Sequence, residues 1–208
     1  NYLPGVPEGS DLCITPVSAP ENHYVRIKAD NRLEADGTLR GTFTLTAEGQ
    51  SDSNIRRIFT TGFQSEWKST MERQLLAISP KARLLSVDYG KNPKYYQAAP
   101  IKITFRYEIP DYALRGEGEM FFRPMVMNNL YNQVRSYMWI DTSVENRKYG
   151  FKDGCSRLVE LDETIQLPAG YKLVSAAKDE TMQGVGADFE GSLVQKGNKV
   201  LLHNRLAL

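Results

Sequence analysis

The sequence predicts a mostly β fold, antiparallel sheets packed like a sandwich, with a short helical pair inserted near residues 53–79. Three observations predict it. Apolar and polar residues alternate with period two in several separate stretches, the pattern of strands with one buried and one wet face. One region alone changes to the helical period. No apolar run approaches the length needed to cross a bilayer.

The elements follow in chain order. Val25 and Ile27 alternate with charged neighbours in "YVRIKAD", and Leu39, Phe43 and Leu45 do so in "TLRGTFTLTAEG". The stretch "DSNIRRIFTTGF" reads as a first, shorter helix ending near Gly62. In "SEWKSTMERQLLAISP", Trp67, Met71, Leu75 and Ile78 fall on one face of a helix. Ser65 is the expected N-cap, Glu66 complements the positive helix end, and Pro80 stops the run. Ile101, Ile103, Phe105, Tyr107 and Ile109 give the longest clean alternation. The segment "VMNNLYNQVRSYMWID" fits neither period. Val159, Leu161, Ile165 and Leu167 form a further strand face, with Glu160, Asp162, Thr164 and Gln166 outward. Asp162 and Glu163 then lie on opposite faces and cannot cooperate as a carboxylate pair. Leu167-Pro168-Ala169-Gly170 reads as a type I turn, a hinge between strands. Val185–Gln195 and Lys199–Leu208 form a closing hairpin around Gly197-Asn198.

At 208 residues the chain suffices for one large β domain or two small ones. The expected division is a β lobe over 1–124 carrying the helical pair and a second lobe over 125–208, which can pack as one unit. Lys+Arg 26 against Asp+Glu 25 leaves a formal charge of +1, with no basic run. Nucleic acid and anionic membranes call for a clustered positive field, so neither is an expected partner. A start at Asn1 and an end within a strand-like alternation suggest a longer polypeptide at both ends.

The chemistry-bearing residues do not assemble into a catalytic set. Cys13 in "DLCITP" and Cys155 in "KDGCSR" do not open helices whose dipoles would activate a thiol. The plain reading is two inert thiols, and a disulfide between them is a stronger alternative than catalysis. His23 and His203 have no partner at metal-ligand spacing. Asp30, Glu34 and Asp36 in "ADNRLEADG" lack the order of a calcium loop and read as a turn. "GEGE" at Gly116–Glu119 lacks the lysine and helix of a phosphate loop, and no G-x-S-x-G elbow occurs. No metal, cofactor or catalytic residue is therefore expected.

Aromatic residues are the remaining candidates. Tyr95 and Tyr96 lie in the polar, proline-flanked "KNPKYYQAAP". Tyr131, Tyr137 and Trp139 stand among Asn128, Asn129, Asn132 and Gln133. Rings beside amides suit a sugar- or peptide-binding face; the competing reading is that they cover the edge of the core.

The segment "NYLPGVPEGSDLCITPVSAPENHYVRI" resembles the exit from the catalytic core of bacterial transglutaminase-like proteins of the cell envelope. "DGTLRGTFTLTAEG", "ENRKYGF" and "ETIQLPAGYKL" resemble, in order and spacing, the β-rich region of unknown function that follows that core. The resemblance spans nearly the whole chain. It implies a periplasmic or extracellular accessory module, structural or partner-holding, whose partner is the rest of its own polypeptide. The family's Cys–His–Asp triad does not carry over, because no cysteine here opens a helix. The alternative is a carbohydrate- or peptide-binding module acting through the loop aromatics.

Overall fold

Strand β1 (Tyr24–Leu33) shows how the alternation becomes architecture: Val25, Ile27, Ala29, Asn31 and Leu33 are buried, while Lys28, Asp30 and Arg32 are exposed. The computed structural model describes residues 5–96, 99–127, 148, 155–176 and 178–208. After β1 come β2 (Leu39–Ala47), α1 (Gly49–Thr61), α2 (Trp67–Leu76), β3 (Arg83–Asp88) and β4 (Ile101–Ile109). Two short strands, β5 (Leu114–Arg115) and β6 (Met120–Phe121), pair only with each other among the described residues. Then follow β7 (Leu158–Gln166), β8 (Glu180–Gln183), β9 (Asp188–Lys196) and β10 (Lys199–Ala207).

The longer strands form one open eight-stranded sheet in the order β3-β4-β2-β1-β7-β10-β9-β8. Strands from both halves of the chain therefore share one set of hydrogen bonds. The mostly β class with a helical pair between strands is present, with one difference in detail. β1 and β7 run parallel, Tyr24 facing Leu158 and Arg32 facing Gln166, so the sheet is mixed. Period two identifies a strand's faces but carries no information on the direction of its neighbour. A parallel neighbour needs only a long crossover, which the stretch between Leu33 and Leu158 provides.

The helices cover one face of the sheet. Ile55 and Phe59 of α1, with Trp67, Met71 and Leu75 of α2, join the inward residues of β1, β2, β4 and β7 in one apolar core. Phe43 and Phe105, on adjacent strands, stack with ring centroids 4.3 Å apart. Phe59, Trp67 and Tyr89 meet edge to face at 5.2–5.8 Å, the arrangement that ring quadrupoles favour. The predicted face of α2 is buried as expected, with Ile78 packed against it just beyond the helix.

Three local readings change. Helix α1 begins earlier than expected and, at 13 residues, is the longer helix. Ser65 lies in a 3₁₀ turn, Gln64–Glu66, and Glu66 rather than Ser65 is the N-cap residue of α2. The hinge after β7 is displaced by one residue. Tyr171 N–H donates to Pro168 O at 3.2 Å, and Gly170 has φ +84°. Positive φ at the third of four residues marks a type II turn over Pro168–Tyr171. Tyr171 and Leu173 then pack against the core as irregular chain. The Gly197-Asn198 turn joins β9 to β10 as expected. Positive φ at Gly197 alone, +62°, is the type II′ pattern.

Candidate functional site

The loop between β3 and β4 carries Tyr95 and Tyr96, and helix α1 holds its backbone. Asp52 and Arg56 stand one turn apart on α1, with Arg56 Nε 2.6 Å from Asp52 Oδ2 and side-chain exposures of 10% and 3%. The guanidinium also donates to three loop carbonyls: Pro93 O at 3.2 Å, Tyr95 O at 2.8 Å and Ala99 O at 3.2 Å. The other Asp52 oxygen accepts from Ile101 N–H at 2.8 Å, where β4 begins. The planar fork of arginine suits this task, because several donors leave one rigid group in fixed directions. Arg56 and Asp52 thus fasten both the loop and its re-entry into the sheet.

The two rings above this clamp remain in solvent, Tyr95 57% and Tyr96 61% exposed. Arg56 Cζ lies 5.6 Å from the Tyr96 ring centroid, and Lys94 Nζ lies 5.8 Å from that of Tyr95. The Tyr96 hydroxyl donates to Glu48 Oε1 at 3.4 Å, and the nearby Glu48 charge raises its pKa. The result is two exposed rings on a backbone tied down from below. Tyr131, Tyr137 and Trp139, the other aromatic candidates, lie outside the described residues, as do the amides Asn128, Asn129, Asn132 and Gln133.

The remaining polar candidates lie apart from the tyrosine loop or serve the fold. His23 Nδ1 accepts from Gln50 N–H at 3.1 Å, and Ser51 Oγ donates to His23 O at 2.8 Å. This histidine therefore caps α1. His203 Nδ1 lies 2.7 Å from Asp162 Oδ1 across β10 and β7, on the sheet face away from the helices. Ser192 is the β9 residue opposite His203, but among the described residues no hydrogen bond joins them. Cys13 and Cys155 are unbonded and half-buried. No group of three or more His, Cys, Asp or Glu is placed to hold a metal among the described residues.

Glu163 occupies the inner face of β7 and is 2% exposed, whereas Asp162 lies on the other face as the alternation requires. Its carboxylate accepts from Asn31 Nδ2 at 2.6 Å and from Val126 N–H at 3.0 Å. Tyr107 Oη–H donates to Asn31 Oδ1. These groups form a buried chain from β4 to β7 and onto the segment at Val126. Burial raises the Glu163 pKa, while the hydrogen bonds from Val126, Asn31 and Met125 oppose the shift. The folded state therefore holds this proton more tightly than the unfolded chain, whose glutamates titrate near about 4.3. The contribution of Glu163 to stability is fully present below that value and is lost as pH rises through the folded pKa. Denaturant unfolding between pH 4 and pH 7 should show the wild type losing stability with rising pH relative to Glu163→Gln. A difference that stays flat over that interval would contradict this account.

Sequence reasoning located the tyrosine loop but missed its clamp. The only available signal was the i, i+4 pairing of Asp52 and Arg56 in a helical stretch, which ordinarily marks a solvated helix face. No family model matches the chain, and no curated protein or solved structure matches it either.

Proposed function

We propose that this chain is a non-catalytic, partner-holding β module of the kind that follows the core in bacterial transglutaminase-like cell-envelope proteins. In that setting it works in the periplasm or outside the cell. Its partner is the rest of its own polypeptide. The resemblance described above supplies the setting, and the absence of a helix-opening cysteine argues against catalysis by this chain. One structural observation carries the partner-holding part: Arg56 fastens three carbonyls of the loop that exposes Tyr95 and Tyr96. A loop that merely connected two strands would need neither exposed rings nor a buried arginine beneath it. Rings held in place before contact lose little freedom on binding.

The exposure of both rings also favours a second reading, a carbohydrate- or peptide-binding module acting through the same loop. Rings buried between layers would have favoured a purely structural role. Both readings meet in one experiment. The chain is titrated with peptidoglycan fragments, neutral oligosaccharides and the separately produced remainder of its polypeptide, and binding is followed by tyrosine resonances in NMR spectra. Tyr96→Ala should weaken the productive interaction by at least about tenfold, near 1.4 kcal/mol, with unfolding unchanged. Amine incorporation and peptide cleavage should stay at the blank. Turnover that disappears in Cys13→Ala or Cys155→Ala would overturn the non-catalytic assignment. Binding that is indifferent to Tyr96→Ala and to Tyr95→Ala would remove the loop from it.

A further inference from the structure

The sheet register gathers five cations that are scattered along the chain. Arg83 of β3 pairs with Glu108 of β4, Glu108 with Arg40 of β2, and Arg40 with Arg32 of β1. Arg32 pairs in turn with Gln166 of β7, Gln166 with Lys199 of β10, and Lys199 with Lys196 of β9. At about 4.8 Å per strand, this row runs about 29 Å across the sheet face away from the helices. All five cations are exposed. Glu108 is shared between Arg40 at 2.8 Å and Arg83 at 3.4 Å, and Arg32 meets Glu34 at 3.2 Å. Lys196 and Lys199 form no ion pair among the described residues. The row therefore keeps an excess of positive charge although the whole chain is close to neutral, with a formal charge of +1.

Two of these pairings are unfavourable for folding. Arg32 lies opposite Arg40, and Lys196 opposite Lys199. Like charges facing each other across strands destabilise a sheet, whereas opposite signs would stabilise it. Surfaces suited only to solubility intersperse the two signs. Carboxylates already offset the first pair, and anions supplied from outside would relieve the second.

We propose that this row is a docking surface for an extended acidic peptide, one in which several Asp or Glu residues are interleaved with apolar ones. Charge complementarity calls for the carboxylates. The neighbouring row calls for the apolar residues: Leu201 lies opposite Val194 on the same face, each two residues from a lysine of the row. None of the seven row residues is aromatic, and single-stranded nucleic acid would call for rings on which bases stack. The surface is separate from the tyrosine loop. Arg40 lies near the start of β2, while Tyr96 meets Glu48 just past its end.

Fluorescence anisotropy with a labelled peptide of alternating glutamate and leucine tests the proposal on the whole chain. Saturable binding is expected, weakening by at least about tenfold between about 50 mM and about 500 mM salt as the charges are screened. Lys196→Glu should lower affinity by about tenfold or more while raising the unfolding midpoint, because it places opposite charges across from each other. A purely structural row would show the stability change without a binding change. Arg83→Gln at the other end should also weaken binding, and Tyr96→Ala should leave it unaltered. The proposal is overturned by no saturation below about 1 mM peptide, or by wild-type affinity in the Lys196→Glu and Arg83→Gln variants. Tighter binding of an oligothymidylate or a sulfated oligosaccharide than of the peptide overturns it as well.

Discussion

Arg56→Met should destabilise the protein by about 3–5 kcal/mol, the range for removing one partner of a buried ion pair. The size of the effect follows from what the guanidinium leaves behind. Asp52, with a side chain 3% exposed, would lose the cation beside it. The carbonyls of Pro93, Tyr95 and Ala99 would lose their donor together. Met fills a comparable volume, so the loss reports on polar contacts more than on a cavity. Asp52→Asn in the same chain should restore much of the stability, since its side-chain oxygen can still accept from Ile101 N–H while the stranded charge is gone. Denaturant unfolding of the two single variants and the double variant measures the coupling. A loss below about 1 kcal/mol for Arg56→Met, typical of exposed ion pairs, would show that the clamp is not buried as described. In the folded fraction of Arg56→Met, ligands of the tyrosine loop should bind more weakly, because their binding then includes ordering the loop.

Gly41→Ala should cost about as much, roughly 3–5 kcal/mol, through a different mechanism. Gly41 lies between Asn31 on β1 and Tyr107 on β4 in the sheet register. The Asn31 side chain passes over it to reach the Tyr107 hydroxyl. A Cβ at Gly41 would lie 1.9 Å from Asn31 Oδ1 and 2.5 Å from the Asp30 carbonyl oxygen. No rotamer of Asn31 removes the second contact, since that atom is backbone. Moving Asn31 also strips its hydrogen bonds from Tyr107 and Glu163, both buried, and each orphaned buried polar group costs about 1–3 kcal/mol. Asn31→Ala in the Gly41→Ala background should add little further loss, because the network is already broken. Fully additive losses would mean that glycine is required for a reason other than the passage of Asn31.

These expectations separate what was legible in the sequence from what was not. The inward face of β4, the buried face of α2, the β9–β10 hairpin and the opposite placement of Asp162 and Glu163 were all readable. Each depends on residues within one element, where a period of two or 3.6 decides which side chains share a face.

Contacts between elements were decided only by the tertiary structure. Nothing near Arg56 shows that its guanidinium meets carbonyls on a loop some forty positions later. The spacing of Asn31, Gly41, Tyr107 and Glu163 conceals that they form one buried polar site. Arg32, Arg40, Arg83, Lys196 and Lys199 read as ordinary scattered surface charges until seven strands align them. Turn type behaved in the same way: Pro168 and Gly170 announced a turn, but the hydrogen bond from Tyr171 set its register one residue later. The reason is common to all four cases. Side-chain period specifies orientation along a strand, whereas the identity, direction and register of the neighbouring strand depend on how the whole apolar face is buried, a property of the assembled sheet.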